Sequence, residues 1–157
     1  MTVDLLDRTA QASSEEHTYV TLTVATQLCG IPVLGVRDIL AEQPITRIPL
    51  APPDIAGSLN LRGRIVTAID LRRRLNLPPP EPGQKRMSVV VEQGGELYAL
   101  LVDQVSEVMS LDSALFERNP PTLERNWVLF SNGIYRLDGR LLVILDVARL
   151  LDYANQG

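Results

Sequence analysis

Two aspartates could carry acid–base chemistry, because they occupy matching places in two similar stretches of the chain. Asp70 and Asp146 each follow an apolar run of strand length, and paired carboxylates can share a proton as general acid and base. Aspartic proteases place such residues in Asp-Thr-Gly or Asp-Ser-Gly turns, whereas Leu71 and Val147 follow here. An aspartate between a strand and a short helix also serves as an N-cap for free backbone N–H groups. The sequence therefore favours two helix caps over an acid hydrolase.

Other catalytic chemistry has few candidate residues. His17 is the one imidazole and Cys29 the one thiol, and no Gly-x-Ser-x-Gly turn accompanies them. We expect His17 on the surface and Cys29 in the core beside Gly30. The sequence has neither a cluster of metal-ligating residues nor a glycine-rich phosphate loop. We therefore predict a protein that is not an enzyme and that holds no metal or cofactor.

Composition favours protein partners over nucleic acid. The chain has 157 residues, 45% of them hydrophobic and only 4% aromatic, and its formal charge is -4. An acidic chain is poorly suited to neutralise phosphates. A single cysteine fits a reducing compartment. The N-terminus carries acids where a secretory signal would carry bases, and no apolar run approaches the roughly 20 residues that span a bilayer. These features predict a cytoplasmic protein without membrane insertion.

Short apolar runs separated by turn-forming residues predict an all-β chain. Residues 1–17 are polar and acidic, and we predict that they form a flexible tail. Helical spacing after the two aspartates predicts short helices at 71–75 and 147–153, the second able to extend to Ala154. The predicted strands are 19–24, 31–36, 45–48, 55–61, 65–69, 87–92, 97–102, 127–135 and 141–145.

The chain contains an internal repeat. Residues 61–75 match residues 137–151, which lie 76 positions later, and 36–40 are echoed more weakly by 105–109. The proline-rich segment 78–83 cannot continue a sheet ladder and predicts a boundary. We therefore predict a first β subdomain at 18–83 and a second at 84–157 that ends in a helix. A unit of about 65 residues is marginally stable alone, so the two should share a core.

Basic residues are concentrated near this boundary. They outnumber acidic residues by five between positions 61 and 86. A docking surface for an acidic partner is one interpretation. Most such runs are solvated charge, and this is the interpretation we favour for Arg72, Arg73 and Arg74.

The stretch 55–72 resembles the signature of CheW-like chemotaxis coupling proteins. It contains Gly57, Asn60-Leu61-Arg62-Gly63, a hydrophobic strand and Asp70-Leu71-Arg72 in the family's order. The resemblance extends from about Tyr19 to Leu151. It includes Ile31-Pro32-Val33, 36–40, Pro49, Pro52, Pro53, 102–108, Leu111 and 138–146. The resemblance implies two intertwined SH3-like five-stranded β-barrels packed on a shared core.

The same resemblance implies a non-catalytic adaptor that links methyl-accepting chemoreceptors to the regulatory domain of the CheA histidine kinase. Such a protein would be cytoplasmic and recruited to membrane receptor arrays. The receptor tip would lie in the groove between the barrels, at positions that match Arg62, Val36, Ile39 and Gly57. The kinase would contact the first barrel at Asp38, Ile45 and Arg47.

Two alternatives remain open at this stage. One is a coupling protein of a non-flagellar chemosensory array, which controls pili or second-messenger output. The other is the acid hydrolase built on Asp70 and Asp146. One asymmetry favours a binding role for Arg62: its counterpart in the second copy is Asp138, whereas Arg64 recurs as Arg140.

Overall fold

The computed structural model describes residues 15–152, and within them the chain is almost entirely β. We number its helices and strands in chain order, leaving two 3-10 turns at Val33–Gly35 and Ser113–Leu115 unnumbered. They are β1 Glu16–Val24, β2 Gln27–Pro32, β3 Val36–Leu40, β4 Ile55–Leu61, β5 Arg64–Asp70, α1 Leu71–Arg74, β6 Met87–Gln93, β7 Glu96–Val102, β8 Gln104–Asp112, α2 Arg125–Val128, β9 Ser131–Leu137, β10 Arg140–Leu145 and α3 Val147–Leu150.

The ten strands form two five-stranded sheets. Sheet 1 has the order β3-β6-β7-β5-β4, and sheet 2 has the order β8-β1-β2-β10-β9. Neighbouring strands are antiparallel except β5 with β7 and β2 with β10. Isolated bridges join Thr46 to Ser58 and Glu117 to Ile134, one for each sheet. The prediction of an all-β chain with two five-stranded units is confirmed.

The two copies of the repeat are intertwined. Sheet 1 combines β3, β4 and β5 of the first copy with β6 and β7 of the second, and sheet 2 combines β1 and β2 with β8, β9 and β10. The predicted division at residue 83 therefore separates the copies of the repeat and does not coincide with a boundary between sheets. Sequence similarity identifies the two copies, but it does not show which copy supplies the hairpin that completes each sheet.

A shared core lies between the sheets. Leu22 and Ile31 of sheet 2 pack with Val89 and Leu100 of sheet 1 in one cluster of buried side chains. Each sheet also has a smaller cluster of its own. Cys29 belongs to the shared core and is fully buried, as predicted, and burial raises the pKa of its thiol. Both sheets contribute side chains to this core, so we expect neither sheet to fold without the other.

The N-terminal limit of the fold differs from the prediction. Glu16 and His17 were expected in the tail, but they belong to β1 and pair with Asp112 and Leu111 of β8. His17 is about half exposed, as expected of a surface side chain. The polar residues at this end of β1 face solvent, so hydrophobicity gave no signal for the strand. The rest of the predicted tail, residues 1–14, lies outside the described residues.

Three other predicted strands are also corrected. The run 31–36 is replaced by β2 at Gln27–Pro32, because Ala25 and Thr26 form a tight turn at positive φ without glycine. The run 45–48 makes a single bridge at Thr46. The run 127–135 divides into α2, which buries Trp127, and β9. Strand β8 was missed because its side chains are largely exposed.

Both aspartates cap helices, as predicted. A carboxylate oxygen of Asp70 accepts hydrogen bonds from the backbone N of Arg72 at 3.1 Å and of Arg73 at 3.4 Å. Asp146 accepts one from the backbone N of Arg149 at 3.0 Å. The helices are shorter than predicted and end at Arg74 and Leu150. The expected extension to Ala154 lies outside the described residues.

The cap at α3 predicts an order of stabilities. Asp146→Ala should lower the free energy of unfolding by about 1 kcal/mol, and Asp146→Asn should lower it much less, because asparagine still caps. The ion pair with Arg149 is long, at 3.9 Å, and Arg149 is exposed, so loss of charge matters little. Denaturant unfolding of the three proteins tests this order. A larger loss for asparagine than for alanine would contradict the capping role.

Candidate binding site between the two sheets

The hairpin between β4 and β5 presents Arg62 at its tip. Leu61 pairs with Arg64, which leaves a two-residue turn with φ +50° at Arg62 and +84° at Gly63. Positive φ at both positions is typical of the type I′ turns that suit twisted hairpins. Asn60 Oδ1 accepts a hydrogen bond from Gly63 N at 2.9 Å and holds the turn. The Asn-Leu-Arg-Gly motif thus builds a tight turn whose arginine side chain is 77% exposed.

Arg62 contacts Asp38 of β3. Arg62 Nη1 lies 2.9 Å from Asp38 Oδ2, as a charge contact without hydrogen-bond geometry. The other oxygen, Asp38 Oδ1, accepts a hydrogen bond from Ile39 N at 2.8 Å. The structure therefore brings together one residue that was assigned to the receptor and one that was assigned to the kinase. A partner that contacts Arg62 is therefore also close to the negative charge of Asp38.

A β-bulge in β3 aligns two apolar side chains. Val36 pairs with Val91 and Ile39 pairs with Val89, so β3 carries one extra residue between them. Bulges re-aim side chains in this way. Val89 and Val91 belong to the shared core, and Val36 and Ile39 therefore lie on the face of sheet 1 that meets sheet 2. Ile39 remains 39% exposed at the edge.

The second copy repeats this arrangement on β8. Val105 pairs with Leu22 and Val108 pairs with Val20, again with one extra residue on the bulged strand. Val108 is 57% exposed. Met87 of β6 links the sides, because its Sδ accepts a hydrogen bond from Val105 N at 3.4 Å while β6 pairs with β3. We call Val36, Ile39, Met87, Val105 and Val108 the junction strip.

Gly57 is buried, in contrast to the exposed contact that its assignment to the receptor implies. Its φ is +150°, and a Cβ at this position would overlap the backbone of Thr46. Thr46 and Ser58 exchange two backbone hydrogen bonds, each 2.8 Å long, directly beside Gly57. Gly57 therefore lets the segment after β3 cross β4 and close sheet 1.

The residues assigned to the kinase do not share one cavity. Ile45 is half-buried and packs on the smaller core of sheet 1. Arg47 is exposed and lines an open cavity of about 750 Å³ together with Ile48, Leu50 and Arg73. Asp38 lies with Arg62 instead. Ile45 and Arg47 lie between β3 and β4, whereas Asp38 lies within β3, and the three residues face different surroundings.

The prediction that the arginine run is solvated is wrong for two of its three residues. Arg72 binds Asp103 as a fork, with Nε 3.0 Å from Oδ1 and Nη2 2.6 Å from Oδ2. Arg74 is 5% exposed, and its Nε donates to the carbonyl oxygen of Leu150 at 2.7 Å. Only Arg73 is exposed. Nothing in the neighbouring residues indicated this burial, because the acceptors are distant in the chain.

The pKa of Asp103 is set by opposing effects. Burial raises the pKa, but hydrogen bonds from Arg72 and from Ala25 N lower it. Together the lowering effects outweigh the effect of burial, and the pKa lies below its usual range. A carboxyl group with a native pKa below the unfolded value of about 3.9 stabilises the fold above that pH, and its contribution is lost as the pH falls through the native pKa.

The lowered pKa of Asp103 predicts how the stability of the protein depends on pH. The free energy of unfolding should decrease as the pH falls below about 4, and Asp103→Asn should remove part of that decrease. Urea unfolding at a series of pH values between about 6 and about 3 measures both proteins. Parallel pH profiles for the two proteins would show that Asp103 does not couple to folding.

The described residues offer little for catalysis. Among residues 15–152, no three His, Cys, Asp or Glu side chains are grouped so that they could hold a metal ion. Asp70 contacts Arg86, whose Nη1 lies 3.0 Å from its Oδ1, and both Asp70 and Asp146 are committed to helix caps. None of the helices in this part of the chain is long and apolar enough to span a bilayer.

Fold and site together define a duplicated, intertwined β-barrel module of the binding type, with an apolar strip where its two sheets meet and a charged turn on sheet 1. A family model described as CheW-like domain matches residues 18–155. The chain belongs to this family, and the resemblance found in the sequence is confirmed.

Individual relatives agree with this assignment. The chain is 31% identical to the chemotaxis protein CheW of Bacillus subtilis (strain 168), over 78% of this chain and 79% of that protein. It is 29% identical to a probable chemotaxis protein CheW of Rhizobium etli, over 76% and 77%. The crystal structure of the scaffolding protein TtCheW from Thermoanaerobacter tengcongensis superposes with a TM-score of 0.78 at 29% identity, covering 88% of this chain and 89% of that one. The predicted fold of two SH3-like barrels is thereby confirmed.

Proposed function

We propose that the protein is a non-catalytic chemotaxis scaffold that links methyl-accepting chemoreceptors to the regulatory domain of a CheA-type histidine kinase. The observation that carries this proposal is the match to the CheW-like domain over residues 18–155, together with the Asn-Leu-Arg-Gly turn that presents Arg62. Relatives named as chemotaxis and scaffolding proteins support it. The acid hydrolase has no support, because both of its aspartates act as helix caps.

The junction strip is suited to a helical receptor tip. Ile39 and Val108 are exposed on its two sides, and an amphipathic helix buries apolar residues at intervals of three or four in such a site. Arg62 contacts Asp38, the chain neighbour of Ile39, and its guanidinium can meet a carboxylate or the carbonyl groups at a helix end. We assign receptor binding to Arg62, Val36 and Ile39, and a supporting role to Gly57.

The kinase contact is assigned to sheet 1. Ile45 and Arg47 follow β3 on the outer segment that Gly57 supports, and Asp38 lies where this segment and the receptor surface meet. Surfaces that meet only at Asp38 allow both partners to bind at once, which a coupling protein requires. Recruitment of the protein from the cytoplasm to receptor arrays then follows from receptor binding.

Co-sedimentation tests the proposal. Vesicles that carry a receptor cytoplasmic hairpin should bring down this protein, and they should bring down the kinase regulatory domain in larger amounts when this protein is present. When Arg62 is substituted in this assay, the Asp138→Ala variant is the matched control, because Asp138 occupies the turn of sheet 2 that corresponds to the turn of Arg62. If the protein binds neither the hairpin nor the regulatory domain, the proposal is wrong.

A further inference from the structure

The chain passes from sheet 1 to sheet 2 through a single residue, Asp103. Strand β7 ends at Val102 and β8 begins at Gln104. The backbone N of Asp103 donates to the carbonyl oxygen of Thr23 in β1 at 3.0 Å. The orientation of Asp103 therefore decides how β8 leaves sheet 1 and where it enters sheet 2.

The side chain of Asp103 is held from both sheets. Arg72, in the helix that follows β5 of sheet 1, supplies the fork of two hydrogen bonds. Ala25, in the β1–β2 turn of sheet 2, donates its backbone N–H to Oδ2 at 2.9 Å. The side chains of Arg72 and Asp103 are only 12% and 13% exposed. A bidentate pair of this kind fixes geometry as well as contributing energy.

Arg72 also fixes the linker between the two copies of the repeat. Its Nη1 donates to the carbonyl oxygens of Pro78 at 2.8 Å and Pro79 at 3.3 Å. One guanidinium thus joins α1, the proline-rich linker and the crossover residue. Replacing it releases three segments that meet at the boundary of the sheets.

The crossover leads directly into the junction strip. Val105 lies two residues after Asp103, and its backbone N contacts Met87 on the opposite side. A change in the orientation of Asp103 therefore shifts Val105 and Val108 relative to Val36 and Ile39. The residues assigned to the kinase contact, Ile45 and Arg47, lie on the segment between β3 and β4, which the bridge at Thr46 joins to sheet 1. We expect a change at the crossover to leave this segment in place.

The ion pair is present on one side of the duplication only. At the positions that correspond to Arg72 and Asp103, the other copy has Ala148 and Leu34. Leu34 lies in the three-residue turn Val33–Gly35 that joins β2 to β3, and it is 89% exposed. The equivalent crossover thus folds without an ion pair, which indicates that the pair serves a purpose beyond making the connection.

We propose that the Arg72–Asp103 ion pair sets the spacing between the two sides of the junction strip, so that Arg72 is a positioning residue for receptor binding. The part of this inference that concerns receptor binding rests on the proposed function. It concerns residues that do not touch the receptor and act through the path of β8.

Two variants and a control test the proposal. Arg72→Gln removes the charge and the fork, and Arg72→Lys keeps the charge but loses the fork. Arg136→Gln is the matched control, because Arg136 also forms an ion pair, with its Nε 3.0 Å from Oε1 of Glu117, on the exposed face of sheet 2. Spin labels at Arg64→Cys and Arg140→Cys, on the hairpin tips of the two sheets, report the distance between sheets. Cys29 is buried and does not take the label.

Arg72→Gln should broaden or shift the distance between the labels and weaken receptor binding at least about tenfold, while kinase affinity changes by less than about threefold. Arg72→Lys should restore receptor affinity only in part, and Arg136→Gln should match the parent protein. If Arg72→Gln fails to fold, Asp103→Asn provides the same measurements with a nearly isosteric side chain.

Two results would overturn the proposal. The first is an unchanged label distance with full receptor affinity. The second is an equal loss of affinity for both partners, which is the pattern of general destabilisation. The label distance needs no partner, so a parent protein that binds neither partner overturns the proposed function, while the distance measurement still decides whether the ion pair sets the spacing.

Discussion

Replacing Arg62 by alanine should weaken binding of a receptor hairpin at least about tenfold and leave folding intact. Truncating one partner of a desolvated charge pair at an interface costs about 2 to 5 kcal/mol, and each 1.4 kcal/mol is about a factor of ten in affinity. Arg62 is 77% exposed in the free protein, so its intramolecular contact with Asp38 contributes about 0 to 1 kcal/mol to stability. Alanine keeps the Cβ, so the backbone at φ +50° is no more strained than before.

The measurement is a titration of Arg62→Ala against the receptor hairpin and the kinase regulatory domain separately, with a thermal melt of each protein. Arg62→Lys should rescue receptor binding only in part, because an ammonium group lacks the planar fork. Asp138→Ala, at the matching turn of sheet 2, should bind like the parent protein. Unchanged receptor affinity, or equal losses for both partners with a lower melting temperature, would assign Arg62 a structural role.

Asp38→Asn separates two roles for the partner of Arg62. If Asp38 chiefly orients the guanidinium, the variant should lose receptor affinity and keep kinase affinity. If Asp38 contacts the kinase, as the family resemblance implies, kinase affinity should fall instead. The double variant Asp38→Asn/Arg62→Ala completes a mutant cycle, whose interaction energy measures the coupling between the two side chains.

Local signals predicted the parts of the fold that depend on neighbouring residues. Asp70 and Asp146 were recognised as caps because a cap acts on backbone groups two or three positions away. The repeat identified 36–40 and 105–109 as equivalent segments, although it did not predict that they are bulged strands. The Asn-Leu-Arg-Gly turn was recognisable because Asn60 and Gly63 interact within one hairpin.

Long-range pairings escaped prediction for a physical reason. Arg72 and Asp103 are 31 positions apart, and Arg74 and Leu150 are 76 apart. Three consecutive arginines in a short helix have the composition of a solvated surface. Only the exchange of hairpins between the two copies brings their acceptors close enough to bury them. The close approach of Gly57 to Thr46 was not predicted for the same reason, because Thr46 lies on another segment.

Gly57→Ala should lower the free energy of unfolding by about 3 to 5 kcal/mol. Two costs combine at this position. The φ of +150° is one that L side chains rarely adopt, and the new Cβ would meet the backbone of Thr46. That backbone is fixed by its two hydrogen bonds to Ser58, so the clash cannot be relieved by rotating a side chain.

Two other glycines separate these costs. Gly63 has φ +84° and no atom within 4 Å of the position that a Cβ would take, so Gly63→Ala should carry the conformational cost alone, about 1 kcal/mol. Gly35 has open space and an ordinary φ, so Gly35→Ala should change stability by less than about 1 kcal/mol. Urea unfolding of the three variants gives the order directly. A loss at Gly57 no larger than at Gly63 would show that the crossing at Thr46 does not hold sheet 1 closed. If Gly57→Ala instead loses receptor binding while its stability is unchanged, Gly57 is a contact residue. Unchanged stability would show that the barrel remains closed, so the lost affinity could not come from its opening.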